Sequence, residues 1–299
     1  MAKKYMCVDV GGTFIKYAVI DSELNFHAKG KTDTPKEGIE AYLDALTAVC
    51  KPHLAEISGL AMSVPGVIDS ENGVCRTGGL LHYVKEFPLA DEMQKRIGTP
   101  VTVMNDAKSA ALAESTWGSL AGCQDAIVIV LGTGVGGALV KDGKVHMGKH
   151  FSAGEFGRVM FGQDLDLRES CWARHNGNAR LLNLAAAIKG VPADSITTYD
   201  LFQWIEAGDE DAMWVLDKYT KDLAYIIMNL QTIYDPELFA IGGGISQQPL
   251  LFTYLKRNVT NYKKICPLPI PEPQITACKY FNDANLIGAL GYHLSRYAD

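Results

Sequence analysis

Three glycine-rich segments follow apolar runs, and segments of this kind can bind phosphate. They are DVGGT at 9–13, LGTGVGG at 131–137 and IGGG at 241–244. Glycine lets a ligand approach the backbone closely, and consecutive N–H groups form a concave site for an anion. Thr13 and Thr133 add hydroxyl donors. Lys16 adds a positive charge, and Asp9 is a candidate to hold Mg²⁺ through water. One such turn alone is most often only a turn, but the set favours a nucleotide.

The second segment also contains a literal dinucleotide fingerprint, G-x-G-x-x-G, formed by Gly132, Gly134 and Gly137. In a dinucleotide-binding fold a helix follows these glycines, and its N-terminus receives the pyrophosphate. Here the glycines lead into ALVKDGKV, in which Asp142-Gly143 is a strong hairpin signal. We therefore predict two strands joined by a tight turn, and we do not expect NAD.

Asp106 is the main candidate for acid–base chemistry. It follows the strand-like VTVM and opens the Ala-rich helix DAKSAALAEST, so it lies at the carboxyl end of a strand, where α/β proteins bind ligands. The helix dipole favours an ionised carboxylate there, which can accept the proton of an attacking hydroxyl. The alternative is that Asp106 only caps the helix. Glu155, between Gly154 and Gly157, is a candidate for ligand contact, or else an ordinary loop acid.

The elements that would carry these residues alternate between strands and helices. YMCVDV and FIKYAVID predict two strands around the first glycine turn, ISGLAMSV and TPVTVM predict two more, and GIEAYLDALTAVC predicts a helix. The pattern begins again near Gly118, with AIVIVL, a glycine turn, ALVKDGKV, a long helix ending at Asp235-Pro236, and LFAIGGG. We predict an α/β protein of two domains that share a strand–turn–strand unit, with a cleft between them. The last helix, NLIGALGYHLSRYA, is expected to return to the first domain.

Charge and cysteine content argue against several classes of protein. The chain has 299 residues and a formal net charge of −6, whereas general binding to nucleic acid or anionic membrane needs a basic surface. No apolar stretch is long enough to span a bilayer. Asp9 interrupts what would be the core of a signal peptide, so we expect a cytoplasmic protein. The seven cysteines form no C-x-x-C pair, so neither disulfides nor a cysteine-based zinc site is expected.

Six motifs occur in a defined order along the chain. They are DVGGT, PGVID, NDAKSAALAE, LGTGVGG, AGEFG and LFAIGGGIS. This ordered set resembles the ROK family of bacterial sugar kinases and related repressors, over almost the whole chain. The resemblance implies two actin-like (ribonuclease H-like) α/β domains, each with a mixed sheet, flanking a catalytic cleft. The implied N-terminal domain comprises 1–115 plus 285–299, and the C-terminal domain comprises 116–284. ATP and Mg²⁺ are the implied cofactors, and the implied reaction phosphorylates a sugar hydroxyl, usually at C6.

The resemblance also implies roles for individual residues. Asp106 matches the catalytic base. The other matches are Gly11, Gly12, Thr13, Gly132, Thr133 and Gly134 at the phosphates, Gly242, Gly243 and Gly244 at the adenosine, and Gly66 (through its backbone), Asn105, Asp106 and Glu155 at the sugar. Together with Asp9 and Lys16 beside the phosphates, these residues define the expected site for ATP and its acceptor.

One segment departs from the family pattern. Many members carry G-E-x-G-H followed by C-x-C-G-x-x-G-C-x-E, in which the His and three Cys hold a structural zinc. Here Arg158 stands at the position of that His, and the second segment offers only Cys171 and the nearby His175. One Cys and one His cannot complete a tetrahedral site, so we predict no structural zinc.

The same departure bears on the acceptor sugar. The His and the final Glu of the full pattern also contact the sugar, so contacts near C1 and C2 are expected to differ here. Members without zinc include β-glucoside kinases, which favours a β-glucoside as acceptor, with glucose and N-acetylmannosamine as rivals. Glu169 or Arg158 could replace the missing contacts. Trp172 could stack on a sugar face or, alternatively, pack in the core.

Two other functions are less compatible with the motifs. A sugar-responsive repressor of the same family needs a DNA-binding module before the first phosphate motif, and only eight residues precede Asp9. An actin-like assembly or chaperone ATPase would keep the phosphate turns but would need neither NDA nor GEFG. We therefore expect a sugar kinase that binds neither nucleic acid nor membrane. A homodimer is a further expectation from the resemblance.

Overall fold

The computed structural model describes residues 2–160, 170–265 and 270–297. The chain divides into two compact units. The first comprises Met1–Gly118, Met147–Ala153 and Asp283–Asp299, and the second comprises Ser119–His146 and Gly154–Asn282. The predicted C-terminal domain, 116–284, therefore includes the segment Met147–Ala153, which groups with the first unit in the structure.

The first unit is built on a mixed sheet. The strands of this unit are β1 (Lys4–Val10), β2 (Phe14–Asp21), β3 (Phe26–Asp33), β4 (Ile57–Val64), β5 (Ile68–Asp69), β6 (Val74–Thr77), β7 (Lys85–Phe87) and β8 (Val101–Asn105). Five of them form the main sheet in the order β3-β2-β1-β4-β8, while β5, β6 and β7 form a small separate sheet. β1 pairs antiparallel with β2 and parallel with β4, and β4 pairs parallel with β8. The carboxyl ends of β1, β4 and β8 therefore lie at one edge of the sheet.

Helices cover both faces of this sheet. The helices of the first unit are α1 (Ile39–Cys50), α2 (Leu89–Ile97), α3 (Asp106–Trp117) and α9 (Ala284–Tyr297). Alternate residues of a strand point to opposite faces. Met6 and Val8 join a core with α1 and α2, whereas Tyr5 and Cys7 join a core with α9. This two-sided burial explains why β1 reads as a continuous apolar run, and it directs Asp9 to the α9 side.

The second unit repeats the same arrangement. The strands of this unit are β9 (Ala126–Leu131), β10 (Val135–Lys141), β11 (Lys144–His146), β12 (Leu238–Gly242) and β13 (Ile275–Ala277), and the helices are α4 (Trp172–Asn176), α5 (Asn178–Lys189), α6 (Thr198–Glu206), α7 (Glu210–Tyr234) and α8 (Pro249–Ile265). The sheet order β11-β10-β9-β12-β13 matches that of the first unit position by position, with the hairpin antiparallel and β12 parallel to β9. The predicted α/β class and mixed sheets are confirmed. Within the described residues, none of the helices is both long and apolar enough to span a membrane.

Helix α9 packs closely against α3, the helix that begins at Asp106. Gly288 of α9 makes this approach possible, because a Cβ at this position would collide with the carbonyl oxygen of Ser109. Gly291 lies one turn further along α9, where a Cβ would be 3.0 Å from the ring of Trp117. The first contact is with backbone and cannot yield without moving a helix, whereas the second is with a side chain that can shift.

We expect Gly288→Ala to destabilise the protein and Gly291→Ala to change stability little. Overpacking typically costs about 1–3 kcal/mol, and alanine returns about 1 kcal/mol through its higher helix propensity. At Gly288 the backbone clash outweighs that gain, while at Gly291 a small shift of Trp117 leaves the two effects nearly balanced. The measurement is the urea unfolding midpoint of both variants, and equal midpoints would contradict the inferred packing of α9 on α3.

Candidate active site

The first glycine turn joins β1 to β2 and leaves its backbone accessible. The N–H of Gly11 donates to Phe14 O at 2.9 Å and closes the turn. Neither Gly11 nor Gly12 has a positive φ, so space rather than backbone conformation favours glycine here. A Cβ on Gly11 would lie 3.1 Å from Phe14 O, and one on Gly12 would lie 3.2 Å from Leu80 Cδ1. Thr13, at the tip of the turn, is exposed.

Asp9 ends β1 as a buried carboxylate, with 7% of its surface exposed. Its Oδ1 accepts hydrogen bonds from Asn285 Nδ2 at 2.8 Å and Ser63 Oγ at 3.1 Å. Lys16 Nζ lies 4.0 Å from its Oδ2. Burial raises the pKa of Asp9, and the hydrogen bond from Asn285, the charge of Lys16 and the hydrogen bond from Ser63 oppose that rise. A carboxylate held through one oxygen fits a water-mediated contact with Mg²⁺, which prefers oxygen ligands and keeps several waters.

The second and third turns lie side by side in the second unit. Gly132 N donates to Gly134 O at 3.0 Å, and Gly132 O accepts from the N–H of Asn178, the first residue of α5, at 2.8 Å. Gly242 ends β12, paired beside β9, the strand that leads into the second turn. Gly243 has φ 93°, and a Cβ there would collide with the backbone of Leu131. The structure therefore brings together the residues matched to phosphate and to adenosine within this unit.

Asn105 and Asp106 form a hydrogen-bonded node where β8 passes into α3. Asn105, not Asp106, is the N-cap of the helix, because its Oδ1 accepts from Lys108 N at 3.0 Å. Its Nδ2 donates to Gly66 O at 2.8 Å and to Asp106 Oδ1 at 3.0 Å. Ala107 N donates to the same Asp106 oxygen at 2.8 Å. The alternative role of Asp106 as the helix cap is therefore wrong, and its half-buried carboxylate is held in one orientation.

Glycine is required at Gly66 and at Gly154, the residue before Glu155. Gly66 has φ 101°, and a Cβ would collide with the carbonyl oxygen of Thr77. Glu155 is half-buried and follows Gly154, whose φ is 79° and whose Cβ would lie 2.7 Å from Ala138 Cα. Gly66 is therefore itself a position that only glycine fills without strain, and Glu155 directly follows another.

The candidate residues are divided between the two units. Those in the first unit are Asp9, Gly11, Gly12, Thr13, Lys16, Gly66, Asn105 and Asp106, and those in the second unit are Gly132, Thr133, Gly134, Glu155, Gly242, Gly243 and Gly244. Within the first unit, Asp9, Gly66 and Asn105 lie at or just beyond the carboxyl ends of the parallel strands β1, β4 and β8.

In the segment that departs from the family zinc pattern, the structure decides between the two roles considered for Trp172. Trp172 has no exposed surface, packs in the core of the second unit and donates from Nε1 to Asn176 Oδ1 at 2.6 Å. The hypothesis that Trp172 stacks on a sugar is therefore wrong, because core side chains cover its ring. Arg158 is exposed, while Cys171 and His175 are partly buried. Glu169 lies outside the described residues.

Several residues that shape the site gave no local signal in the sequence. Asn285 reaches Asp9 from the start of α9, and Ser63 reaches it from β4. The hydroxyl of Thr34 donates to Gly11 O at 2.8 Å and supports the first turn. The backbone N–H of Thr34 also donates to Thr13 O, at 2.9 Å, and adds to that support. Only the tertiary fold brings these residues together, since they are far apart in the chain.

Comparisons with known proteins identify the family. The family model described as "ROK family" matches residues 5–294. The β-glucoside kinase of Klebsiella pneumoniae is 29% identical over 300 residues, covering 98% of this chain and 96% of that protein. A ROK family protein from Streptococcus pneumoniae, solved in complex with sucrose, has a TM-score of 0.85 and 29% identity and covers 98% of both chains. A ROK family glucokinase from Streptomyces griseus, solved with glucose and AMPPNP, has a TM-score of 0.82 and 25% identity over 96% of this chain and 97% of its own.

These likenesses confirm the predicted actin-like, hexokinase-type fold. They extend over nearly the full length of each relative, so both units are included. The family resemblance read from six short motifs is confirmed by a match that spans almost all of the sequence. The chain belongs to the ROK family.

Proposed function

We propose that this protein is an ATP-dependent sugar kinase in which Asp106 is the general base. The observation that carries this proposal is the node at the start of α3. Because Asn105 caps the helix, the carboxylate of Asp106 is not needed for capping. It is instead oriented by Asn105 Nδ2 and Ala107 N, both bound to Oδ1. An oriented carboxylate at the carboxyl end of a parallel strand suits proton abstraction from a hydroxyl.

The proposed mechanism assigns the remaining residues to donor and acceptor. Asp106 accepts the proton of the sugar hydroxyl while the hydroxyl oxygen attacks the γ-phosphorus of ATP. The bond between the γ-phosphorus and the oxygen that bridges it to the β-phosphate breaks, and ADP leaves. Backbone N–H groups of the turns at Gly11–Thr13 and Gly132–Gly134 bind the phosphates. Gly242–Gly244 contact the adenosine. Asp9 would hold Mg²⁺ through water, and the bound ion would neutralise charge on the phosphates.

We propose a β-glucoside as the preferred acceptor, with phosphorylation at C6. The absence of the family's His at position 158, where this chain has Arg, changes the contacts expected near C1, the carbon that bears the β-linked group. The likeness to β-glucoside kinase supports this choice. Glucose and N-acetylmannosamine are the alternative acceptors. Asn105, Glu155 and the backbone of Gly66 contact the sugar in this proposal. The cytoplasmic location, the homodimer and the lack of nucleic-acid binding stay predictions from the sequence.

We expect the wild-type protein to release ADP from ATP·Mg²⁺ only when an acceptor sugar is present. A coupled ADP-release assay over cellobiose, aryl-β-glucosides, glucose, N-acetylmannosamine, mannose and fructose measures this. Asp106→Asn should lower kcat by about 10²- to 10⁴-fold, since the amide has a similar shape but cannot take up the proton. Sugar affinity, measured by calorimetry, should change much less.

Asp44→Asn is the matched control for this substitution. Asp44 is an exposed carboxylate on α1 in the same unit, paired with Arg96, so its loss should leave turnover unchanged. If none of the sugars in the panel supports turnover, the proposed function is ruled out. An active Asp106→Asn variant would keep the kinase but exclude Asp106 as its base.

We expect Asn105→Asp to fold with its helix cap intact but to lose most activity. Aspartate is as good a cap as asparagine, so Oδ1 can still accept from Lys108 N. The two hydrogen bonds that Nδ2 donates are lost, however, and an acceptor then faces Gly66 O and the carboxylate of Asp106. Misplacing a reacting group by about 1 Å can cost about 10²-fold in rate. Steady-state kcat beside the thermal unfolding midpoint tests this, and full activity would show that the node does not orient the base.

We expect the purified protein to contain no stoichiometric zinc. Arg158 replaces the expected His, and only Cys171 stands where the pattern has three Cys. Elemental analysis after dialysis, together with activity measured with and without a chelator that prefers zinc over magnesium, checks this. One zinc per chain would show that other residues complete a site.

A further inference from the structure

Lys108 is a fully buried lysine, with no exposed surface, two residues after Asp106. It lies in the first turn of α3. This position is unfavourable for a cation in two ways. The N-terminus of a helix carries partial positive charge, and burial removes the water that would hydrate the ammonium. A lysine held there needs acceptors that repay both costs.

The structure provides one such acceptor in a different part of the chain. Lys108 Nζ donates to the carbonyl oxygen of Phe151 at 2.9 Å. Phe151 belongs to the segment Met147–Ala153, which groups with the first unit, whereas the residues on either side of the segment group with the second. Lys108 therefore holds the segment Met147–Ala153, called the excursion below, against the rest of the first unit.

The excursion is tightly folded and strained at the residue that Lys108 contacts. Phe151 has φ 59°, a left-handed conformation that is rare for residues other than glycine. Gly148, with φ 72°, allows the chain to turn, and Phe151 N and Ala153 N donate back to Gly148 O and Met147 O, each at 3.3 Å. Strained backbone of this kind persists where its surroundings hold it, and it is concentrated at functional sites.

The excursion ends directly before a candidate sugar ligand. Gly154, with φ 79°, follows Ala153, and Glu155 comes next. Only three residues therefore separate Phe151, whose carbonyl Lys108 holds, from Glu155, the residue proposed to contact the sugar. Over so short a distance, fixing the Phe151 carbonyl restricts the positions that Glu155 can adopt.

We propose that Lys108 is a positioning residue for the acceptor sugar, which acts by fixing the Phe151 carbonyl and thereby the segment Met147–Ala153 that leads to Glu155. This inference rests on the proposed function. Lys108 lies in the same first helical turn as Asp106, so one short stretch, 105–108, orients the base and anchors the segment leading to Glu155. The residues assigned to ATP take no part in this contact, so the effect is expected on the sugar and not on the nucleotide.

The test compares wild-type protein with Lys108→Met. Methionine keeps the length and apolar stem of the side chain but donates no hydrogen bond, and replacing a buried charge with an apolar residue is often tolerated. Amide hydrogen exchange over residues 147–155 should become faster, while exchange in β1 and β4 stays the same. KM for the sugar should rise by about 10- to 100-fold, with KM for ATP unchanged.

Lys29→Met is the matched control. Lys29 is an exposed lysine of the same unit, paired with Asp283, and its loss should alter neither exchange at 147–155 nor either KM. If Lys108→Met does not fold, Lys108→Gln replaces it, because glutamine is neutral and too short to keep the same contact. Lys108→Arg, which retains charge and donors, should recover part of the sugar affinity.

The outcomes separate this inference from the proposed function. A folded Lys108→Met variant with unchanged sugar KM, or with unchanged exchange at 147–155, overturns the positioning role while the kinase assignment stands. A parallel rise of both KM values that follows lost stability also overturns it. Wild-type protein that releases no ADP with any sugar overturns the proposed function, and this inference with it.

Discussion

The side-chain amide of Asn105 is the contact on which the first half of the site depends. It makes three hydrogen bonds at once, to Lys108 N, Gly66 O and Asp106 Oδ1. The roles of its oxygen and nitrogen are fixed by these partners, since one is an N–H and the other two are acceptors. One side chain therefore joins the end of β8, the turn at Gly66 and the start of α3. Any contact of Asn105 with a sugar has to be added to bonds that already exist.

Parallel strands explain why these groups lie at the same edge of the sheet. β1, β4 and β8 run in one direction, so Asp9, Gly66 and Asn105 follow or end neighbouring strands. The second unit uses the same rule, because β9 and β12 run parallel and lead into Gly132 and Gly243. The same strand–turn–strand plan thus places a glycine turn at the edge of the sheet in each unit. Side chains then differentiate them, with carboxylates and amides concentrated in the first unit.

The sequence was informative wherever burial or a turn constrains local residue types. The apolar strands, the Asp142-Gly143 hairpin and the end of α7 at Asp235 could all be predicted. β3 could not, because its residues alternate between partly buried and exposed and include no apolar run. The partner of Asp9 was also beyond reach, since Asn285 lies 276 residues away. Trp172 shows the same limit, because only tertiary packing decides whether an aromatic ring meets a ligand or the core.

The polar groups of this site are kept at a cost to stability. Burial raises the pKa of Asp9 and so disfavours its ionised form, although neighbouring donors and Lys16 reduce that effect. Lys108 is buried at the positive end of a helix dipole, where an apolar side chain would need no compensation. Packing alone explains neither residue, because each is hydrogen-bonded to specific partners: Asp9 accepts from Asn285 and Ser63, and Lys108 donates to the carbonyl of Phe151. Under the proposed function, the charge of Asp9 serves to hold a ligand, whereas that of Lys108 holds a backbone carbonyl.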